Sequence, residues 1–305
     1  MCRWTPTPWR PPSDCEADLK VTVHSPATVA NIGPSFDCLA LALDLANDFT
    51  VDTGAEPGVV VEGEGAGELP SDGSNVVFRS ITYLAGKLGG ALPAFRLTCR
   101  NAIPLQRGLG SSAAAIVGGI LLADRLIGAR LAAEQLLQVA VDLEGHPDNV
   151  AACLRGGLAL AYLSADGWRA ESLDPNPALR PAVLIPQAER LSTEDARRVL
   201  PRSLPLADAT FNVGRSALSM LALTERPELL AEALEDRLHQ GYRLPLVPSA
   251  RALFQDLRER GFPVCLAGSG PSLLVFEQDG RRVQDLGPGW RVLRPGIDRR
   301  GARVS

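Results

Sequence analysis

Pro104-Leu105-Gln106-Arg107-Gly108-Leu109-Gly110-Ser111-Ser112-Ala113-Ala114 joins a predicted strand to a predicted helix through two glycines and two serines. Glycine allows backbone conformations and close approaches that a Cβ would block. The Ala/Ile/Leu-rich run that follows predicts a helix over residues 112–127. A helix starting from such a turn presents unpaired N–H groups and the positive end of its dipole, so an anion belongs there, most naturally a phosphate. The same residues also fit a plain strand-to-helix turn in which Ser111 or Ser112 caps the helix. The segment alone leaves both readings open.

Working outward, Phe95, Leu97 and Cys99 alternate with Arg96, Thr98 and Arg100, which predicts a half-exposed strand leading into the loop. Val77, Ile81, Leu84 and Ala85 recur at helical spacing and predict a helix over residues 75–85. Strands are expected at residues 20–24, ended by Ser25-Pro26, and at 49–52 and 59–62. Downstream, a helix is expected over 132–143 and a strand over 158–163, followed by a loop at Asp174-Pro175-Asn176-Pro177. The remainder reads as a strand at 182–185, helices at 193–199, 211–223, 228–240 and 249–260, and strands at 264–267 and 272–276 around a glycine turn. Residues 294–305 read as a solvated arginine-rich tail. Strands and helices in mixed order, with no internal repeat, indicate α+β architecture in two layers.

The 305 residues are enough for two domains with substantial cores. A formal net charge of −4 offers no general attraction for nucleic acid or an anionic membrane. Lys20 and Lys87 are the only lysines, so no Walker A lysine exists and Schiff-base chemistry has only those two candidates. Six scattered cysteines without a C-x-x-C pair suit free buried thiols better than a zinc site or a disulfide framework. The uncharged stretch 108–123 is shorter than the roughly 20 residues that span a bilayer. Residues 1–18 lack an apolar signal region and read as a disordered leader, which makes a cytoplasmic location the expectation.

The glycine segment resembles the phosphate loop of the GHMP kinases, which bind ATP without a Walker lysine. Ser25-Pro26-Ala27-Thr28-Val29-Ala30-Asn31-Ile32-Gly33-Pro34-Ser35-Phe36-Asp37 resembles that superfamily's first motif, and Leu266-Ala267-Gly268-Ser269-Gly270-Pro271-Ser272 resembles its third. Four further blocks, 144–150, 191–197, 211–215 and 235–243, resemble local signatures of its homoserine kinase branch. Ser35 and Gly241 depart from that pattern, which usually has Gly and Pro there.

The resemblance implies a two-domain α+β GHMP kinase fold. Residues 19–172 would form a ribosomal S5 domain 2-like N-terminal half holding the ATP phosphate loop, and residues 173–305 a ferredoxin-like C-terminal half. It implies ATP contacts from Pro104, Leu105, Gln106, Arg107, Gly108, Leu109, Gly110, Ser111, Ser112, Ala113, Ala114, Gly268 and Gly270, and Mg²⁺ contacts from Ser112 and Glu144. For homoserine it implies Asn31, Asp37, His146, Arg197 and Arg243, with Arg237 ranked behind Arg243, and catalytic roles for Asn31 and Arg197. A guanidinium fork suits the carboxylate and an aspartate suits the ammonium. Phosphoryl transfer through a loose transition state needs mainly positioning and charge stabilisation, so direct attack by the hydroxyl without an enzymic base is expected. The resemblance also implies a homodimer.

Three rivals remain. A serine hydrolase would use Ser111 or Ser112 with His146 and Asp148, although no G-x-S-x-G elbow surrounds these serines. A non-catalytic ATP-binding protein would not need Asn31, Asp37 and Arg197. Another GHMP kinase, acting on mevalonate, a shikimate-type alcohol or a sugar, would not need groups for a zwitterion.

Overall fold

The structure is a computed structural model that describes residues 18–278, 280–284 and 286–305. Apart from the exposed Asp18, the expected leader lies outside the described residues.

Val21 and Val23 face inward from β1 (Lys20–Ala30), but the strand does not stop at Ser25-Pro26 as expected. Its antiparallel pairing with β2 (Leu39–Asp52) shifts register between Pro26 and Ala27. A bulge of this kind accommodates a proline that has no N–H for the ladder. β2 begins ten residues before Phe49 because Leu39 through Leu43 are buried on both faces, which leaves no alternation to read.

The first sheet continues with β3 (Gly58–Gly63), β4 (Arg96–Asn101), β5 (Leu158–Ser164) and β6 (Gly167–Leu173), the last forming an antiparallel pair with β5 that was not anticipated. On this sheet pack α2 (Ser111–Ile127) and α4 (Asp148–Arg155), while α1 (Val76–Leu88) and α3 (Ala133–Glu144) pack on α2. Asn75 caps α1 by accepting from the Val77 N–H, and Gly89 ends it in a left-handed conformation.

The second sheet is antiparallel, in the order β10-β7-β9-β8: β7 (Arg180–Pro186), β8 (Val264–Leu266), β9 (Leu273–Glu277) and β10 (Trp290–Leu293). Its separate core joins Leu184, Leu266 and Val275 to Phe254 and Leu257 of α9 (Pro248–Glu259). Between β7 and β8 the chain forms α5 (Thr193–Arg198) and α6 (Leu206–Thr224).

Two further expectations need correction. Residues 228–240 do not form one helix. They make a 3-10 turn, the short α7 (Leu230–Ala233) and a loop leading into α8 (Gln240–Arg243). The Asp236 carboxylate accepts from the N–H groups of Leu238, His239 and Gln240, so a side chain takes donors that a continuous helix would pair with carbonyls. Nor is 294–305 a solvated tail. Asp298 N–H donates to the Ala42 carbonyl, Asp298 is buried, and β11 (Arg303–Val304) pairs with β1 at the edge of the first sheet.

Cys99, Cys153 and Cys265 are buried and Cys38 is half-buried, all as free thiols. Burial pushes Cys38 up to about 11 and Cys99 and Cys265 up to about 12. Cys2 and Cys15 lie outside the described residues. Among the described residues no helix is long and apolar enough to cross a membrane.

Candidate active site

β4 leads through Pro104 into the glycine loop, where Gln106, Gly108 and Gly110 hold φ of 53°, 69° and 67°. α2 starts at Ser111, one residue earlier than expected, with the left-handed Gly110 at the cap position and no capping side chain. The reading of Ser111 or Ser112 as a plain N-cap is therefore wrong. The Ala114 N–H donates to the Gly110 carbonyl at 2.9 Å, so the N–H groups of Ser111, Ser112 and Ala113 stand outside the helix ladder.

The glycines are sterically required. A Cβ on Gly108 would lie 1.9 Å from the Ala267 carbonyl oxygen, and one on Gly110 would lie 2.0 Å from Thr28 Oγ1. Backbone bonds fasten the three motifs together: Thr28 N–H to the Leu109 carbonyl at 3.1 Å and Gly268 N–H to the Ala30 carbonyl at 3.0 Å.

The loop borders a cleft of about 380 Å³, lined from the first half by Asn31, Ser112, Glu144 and His146 and from the second by Arg197, Arg243 and Gly268. Ser112 Oγ donates to Glu144 Oε2 at 2.8 Å. Glu144 ends α3, and its pKa is raised because burial outweighs the favourable His146 charge and the Ser112 hydrogen bond. His146 lies 3.1 Å from Asp148 Oδ1 through Nδ1 and 3.6 Å from Glu144 Oε1 through Nε2. Burial alone would lower its pKa, but the Asp148 hydrogen bond and the two carboxylate charges raise it. Because Ser112 bonds Glu144 while His146 bonds Asp148, the serine–histidine relay of a hydrolase is not formed.

On the other side, Arg197 grips Asp37 in a bidentate pair, Nη1 to Oδ2 at 2.9 Å and Nη2 to Oδ1 at 2.6 Å. Burial works against the charged guanidinium, yet Asp37 outweighs it and raises the Arg197 pKa. Asn31 Oδ1 accepts from the Asp37 N–H at 2.8 Å, which ties the first-motif loop to itself. The ring of Phe36 lies 5.5 Å from the Arg197 guanidinium and 5.1 Å from that of Arg243.

Arg243 is 1% exposed and donates to the Ala196 and Gly268 carbonyls, both at 3.2 Å. Burial, assisted by the Arg197 charge, lowers its pKa to about 10, which leaves it cationic at neutral pH. Behind it, His239 Nδ1 lies 3.3 Å from Arg243 Nη1 and Nε2 lies 2.7 Å from the Gly33 carbonyl. A guanidinium only donates, so Nδ1 accepts and Nε2 carries the proton given to Gly33. Burial lowers the His239 pKa and keeps this neutral form.

The expected residues do not all reach the cleft surface. Residues 104–112 line it, whereas Ala113 and Ala114 are buried in α2 and Gly270 lies behind Gly108. Asp37 stands one contact back, on Arg197. Arg237 is turned away: it stacks on Phe211 with the guanidinium 4.0 Å from the ring centroid and pairs with Asp208 at 3.1 Å. The cleft also has an apolar end that the sequence reading missed, lined by Leu69, Pro70, Val76 and Cys99 together with Asn75 and Asn101. These residues come from separate elements, so no contiguous motif marks them.

The family model described as "GHMP kinases N terminal domain" matches residues 75–157. The homoserine kinase of Streptomyces coelicolor is 44% identical over 292 residues, covering 93% of this chain and 94% of that protein. That of Leifsonia xyli is 45% identical over 296 residues, covering 93% and 91%. Among solved structures, the homoserine kinase of Cytophaga hutchinsonii superimposes with a TM-score of 0.79 at 26% identity, covering 94% of this chain and 97% of the other. Mevalonate diphosphate decarboxylase of Staphylococcus aureus shares the fold with a TM-score of 0.68 at 13% identity, over 95% and 98%. The chain belongs to the homoserine kinases of the GHMP kinase superfamily and phosphorylates homoserine with ATP, a step of threonine biosynthesis.

Proposed function

We propose that the cleft holds the ATP phosphates on the unpaired N–H groups of Ser111, Ser112 and Ala113, and homoserine between Asn31, Asp37, His146, Arg197 and Arg243. The product is O-phospho-L-homoserine. The observation that carries this reading is one cleft lined by the free start of α2, by Arg197 and Arg243 and by the Ser112–Glu144 pair, with Asp37 behind Arg197.

Mg²⁺ is a hard cation that takes few protein oxygens and keeps several waters. The Ser112 hydroxyl and the Glu144 carboxylate, 2.8 Å apart, fit it, since a buried carboxylate with a raised pKa gains from a cation. When bound, the ion offsets negative charge on the phosphate oxygens. Glu144→Gln keeps the shape and loses the charge. It is expected to raise the Mg²⁺ concentration needed for half-maximal turnover by about tenfold, and an unchanged Mg²⁺ titration contradicts the assignment.

The chain's own groups then position the reactants. Homoserine exchanges into the Arg197–Asp37 pair, its carboxylate taking the Arg197 fork beside Arg243 and its ammonium the Asp37 carboxylate, while Asn31 orients the hydroxyl toward the phosphate. No base is required for direct attack through a loose transition state. Asp37→Asn is expected to leave kcat near its normal value and raise the homoserine KM by about 10–100-fold. A loss confined to kcat, with one limb of the pH–rate profile missing, contradicts a pure binding role.

We take residues 19–172 and 173–305 as the two halves, with the closing segment returning to the first sheet. The cytoplasm is the compartment that suits an enzyme whose buried cysteines are free thiols. We also take the enzyme to be a homodimer, as the family resemblance implies. Sedimentation at micromolar concentration should return twice the chain mass, and a monomer contradicts it.

A further inference from the structure

Arg243 is a buried cation that no carboxylate pairs with among the described residues, whereas Arg197 beside it already grips Asp37. Its hydrogen bonds go to neutral acceptors. Nε donates to the Ala196 carbonyl, and Nη1 donates to the Gly268 carbonyl and to His239 Nδ1. Nη2 is the nitrogen left without a protein acceptor, in a side chain that lines the cleft, and it is not sealed from solvent. The guanidinium is planar and rigid, so whatever fixes Nη1 also fixes the direction in which Nη2 points.

Two of the three acceptors are backbone carbonyls, which any residue would present. The third is a side chain. His239 is fully buried, and both edges of its ring are engaged, Nδ1 by Arg243 and Nε2 by the Gly33 carbonyl at 2.7 Å. Its own backbone N–H is held by Asp236 Oδ2 at 2.9 Å. The charged groups that act on the ring are Asp236 from the same turn, Arg243 from α8 and Asp37 from the first-motif loop. Burial, helped by the Arg243 charge, outweighs the two carboxylates and lowers its pKa, so the ring stays neutral. A carboxylate in this place would cancel the Arg243 charge before any substrate arrived. A neutral acceptor aims the guanidinium and leaves its charge available.

We infer that His239 is a positioning residue for the homoserine carboxylate: its Nδ1 turns the Arg243 guanidinium so that Nη2 faces the cleft with its charge uncancelled. This rests on the proposed seating of homoserine beside Arg197 and Arg243. His239 touches no substrate atom and acts only through Arg243. The competing role is to hold the first-motif loop through Gly33, a loop that Asn212 and Ser216 also hold through the Pro34 carbonyl at 3.4 and 3.1 Å. The two edges of the ring can be replaced separately. An asparagine oxygen falls near the place of Nδ1 and keeps an acceptor for Arg243, while a glutamine amide nitrogen falls near Nε2 and keeps a donor for Gly33.

The test uses the full-length protein at saturating Mg-ATP with L-homoserine and with L-homoserine amide, which keeps the ammonium and the hydroxyl but lacks the negative charge. The affinity for the amide is read as its KM or as inhibition of homoserine turnover. His239→Leu and His239→Gln should raise the homoserine KM by about tenfold, with the KM for ATP and the affinity for the amide unmoved. His239→Asn should recover most of that loss. The reverse order, with glutamine recovering and asparagine failing, means that His239 serves Gly33 and overturns the inference. A loss shared equally by homoserine and its amide overturns it as well. In an Arg243→Ala background His239→Gln should add no further loss, and a full additional loss contradicts action through Arg243. Should the leucine and glutamine variants fail to fold in a thermal melt, His239→Asn decides: a homoserine KM well below that of Arg243→Ala supports the inference, and one equally high overturns it. An Arg243→Ala variant that still prefers homoserine over its amide as the wild type does would overturn the seating of the carboxylate and the inference with it. Loss of that preference in Arg243→Ala but not in His239→Gln would overturn the inference alone.

Discussion

Gly108→Ala is expected to lower kcat/KM for homoserine phosphorylation by about 10²–10³-fold while the protein still folds around its two cores. The new Cβ would sit 1.9 Å from the Ala267 carbonyl oxygen, and Gly108 also holds a φ of 69°, where an L side chain is strained. Both problems are relieved only by moving the loop away from the third motif. That movement drags the start of α2, and with it the N–H groups proposed to bind phosphate, out of register with Ser112 and Glu144. The matched control is Gly214→Ala, since a Cβ there meets nothing within 4 Å and Gly214 lies in the middle of α6, where alanine is the better helix former. Steady-state kinetics with a thermal melt on both variants separates loop geometry from general loss of stability. Near-normal turnover in Gly108→Ala would contradict the account of the loop.

The second large effect is expected at Arg197. Removing its fork deletes the two charge-assisted bonds that now go to Asp37 and that are proposed to pass to the homoserine carboxylate, and it leaves the Asp37 carboxylate without its partner. Such bonds are worth roughly 1.5–3 kcal/mol each, so Arg197→Ala should raise the homoserine KM by about 10²–10³-fold with little change in the KM for ATP. Arg197→Lys should recover only part of this loss, because an ammonium is a point charge and lacks the planar pair of donors. Equal losses in the two KM values would mean that Arg197 holds the fold of the cleft instead of the substrate.

These predictions depend on contacts that the sequence reveals unevenly. The glycine loop was legible because its signal is local: backbone N–H groups at one helix start, with glycines where a Cβ would collide. α1, α3 and α9 were legible because each buries one face at helical spacing. The first half of β2 was not, since residues buried on both faces carry no period. The closing segment was misread for a different reason. Arg294, Arg299 and Arg303 look like a solvated run, yet they pair with Glu277, Asp174 and Asp298, of which Asp174 comes from far away in the chain.

The site shows the same division. Ser112 and Glu144 were anticipated together through the family resemblance, and 2.8 Å separates them. Arg237 and Arg243 share one block of sequence, but the loop nucleated by Asp236 sends Arg237 onto Phe211 and Arg243 into the cleft. His239 lies between them, and its role in holding Arg243 and Gly33 depends on a ring orientation that only the packed structure supplies.

The most direct measurement is coupled ADP release with Mg-ATP, offering L-homoserine beside mevalonate, galactose and L-threonine. The account predicts turnover dependent on homoserine and far above that with the other three, abolished at low homoserine in Arg197→Ala. Activity on another of these alcohols with none on homoserine would contradict it, leaving the GHMP kinase fold in place and the substrate assignment wrong.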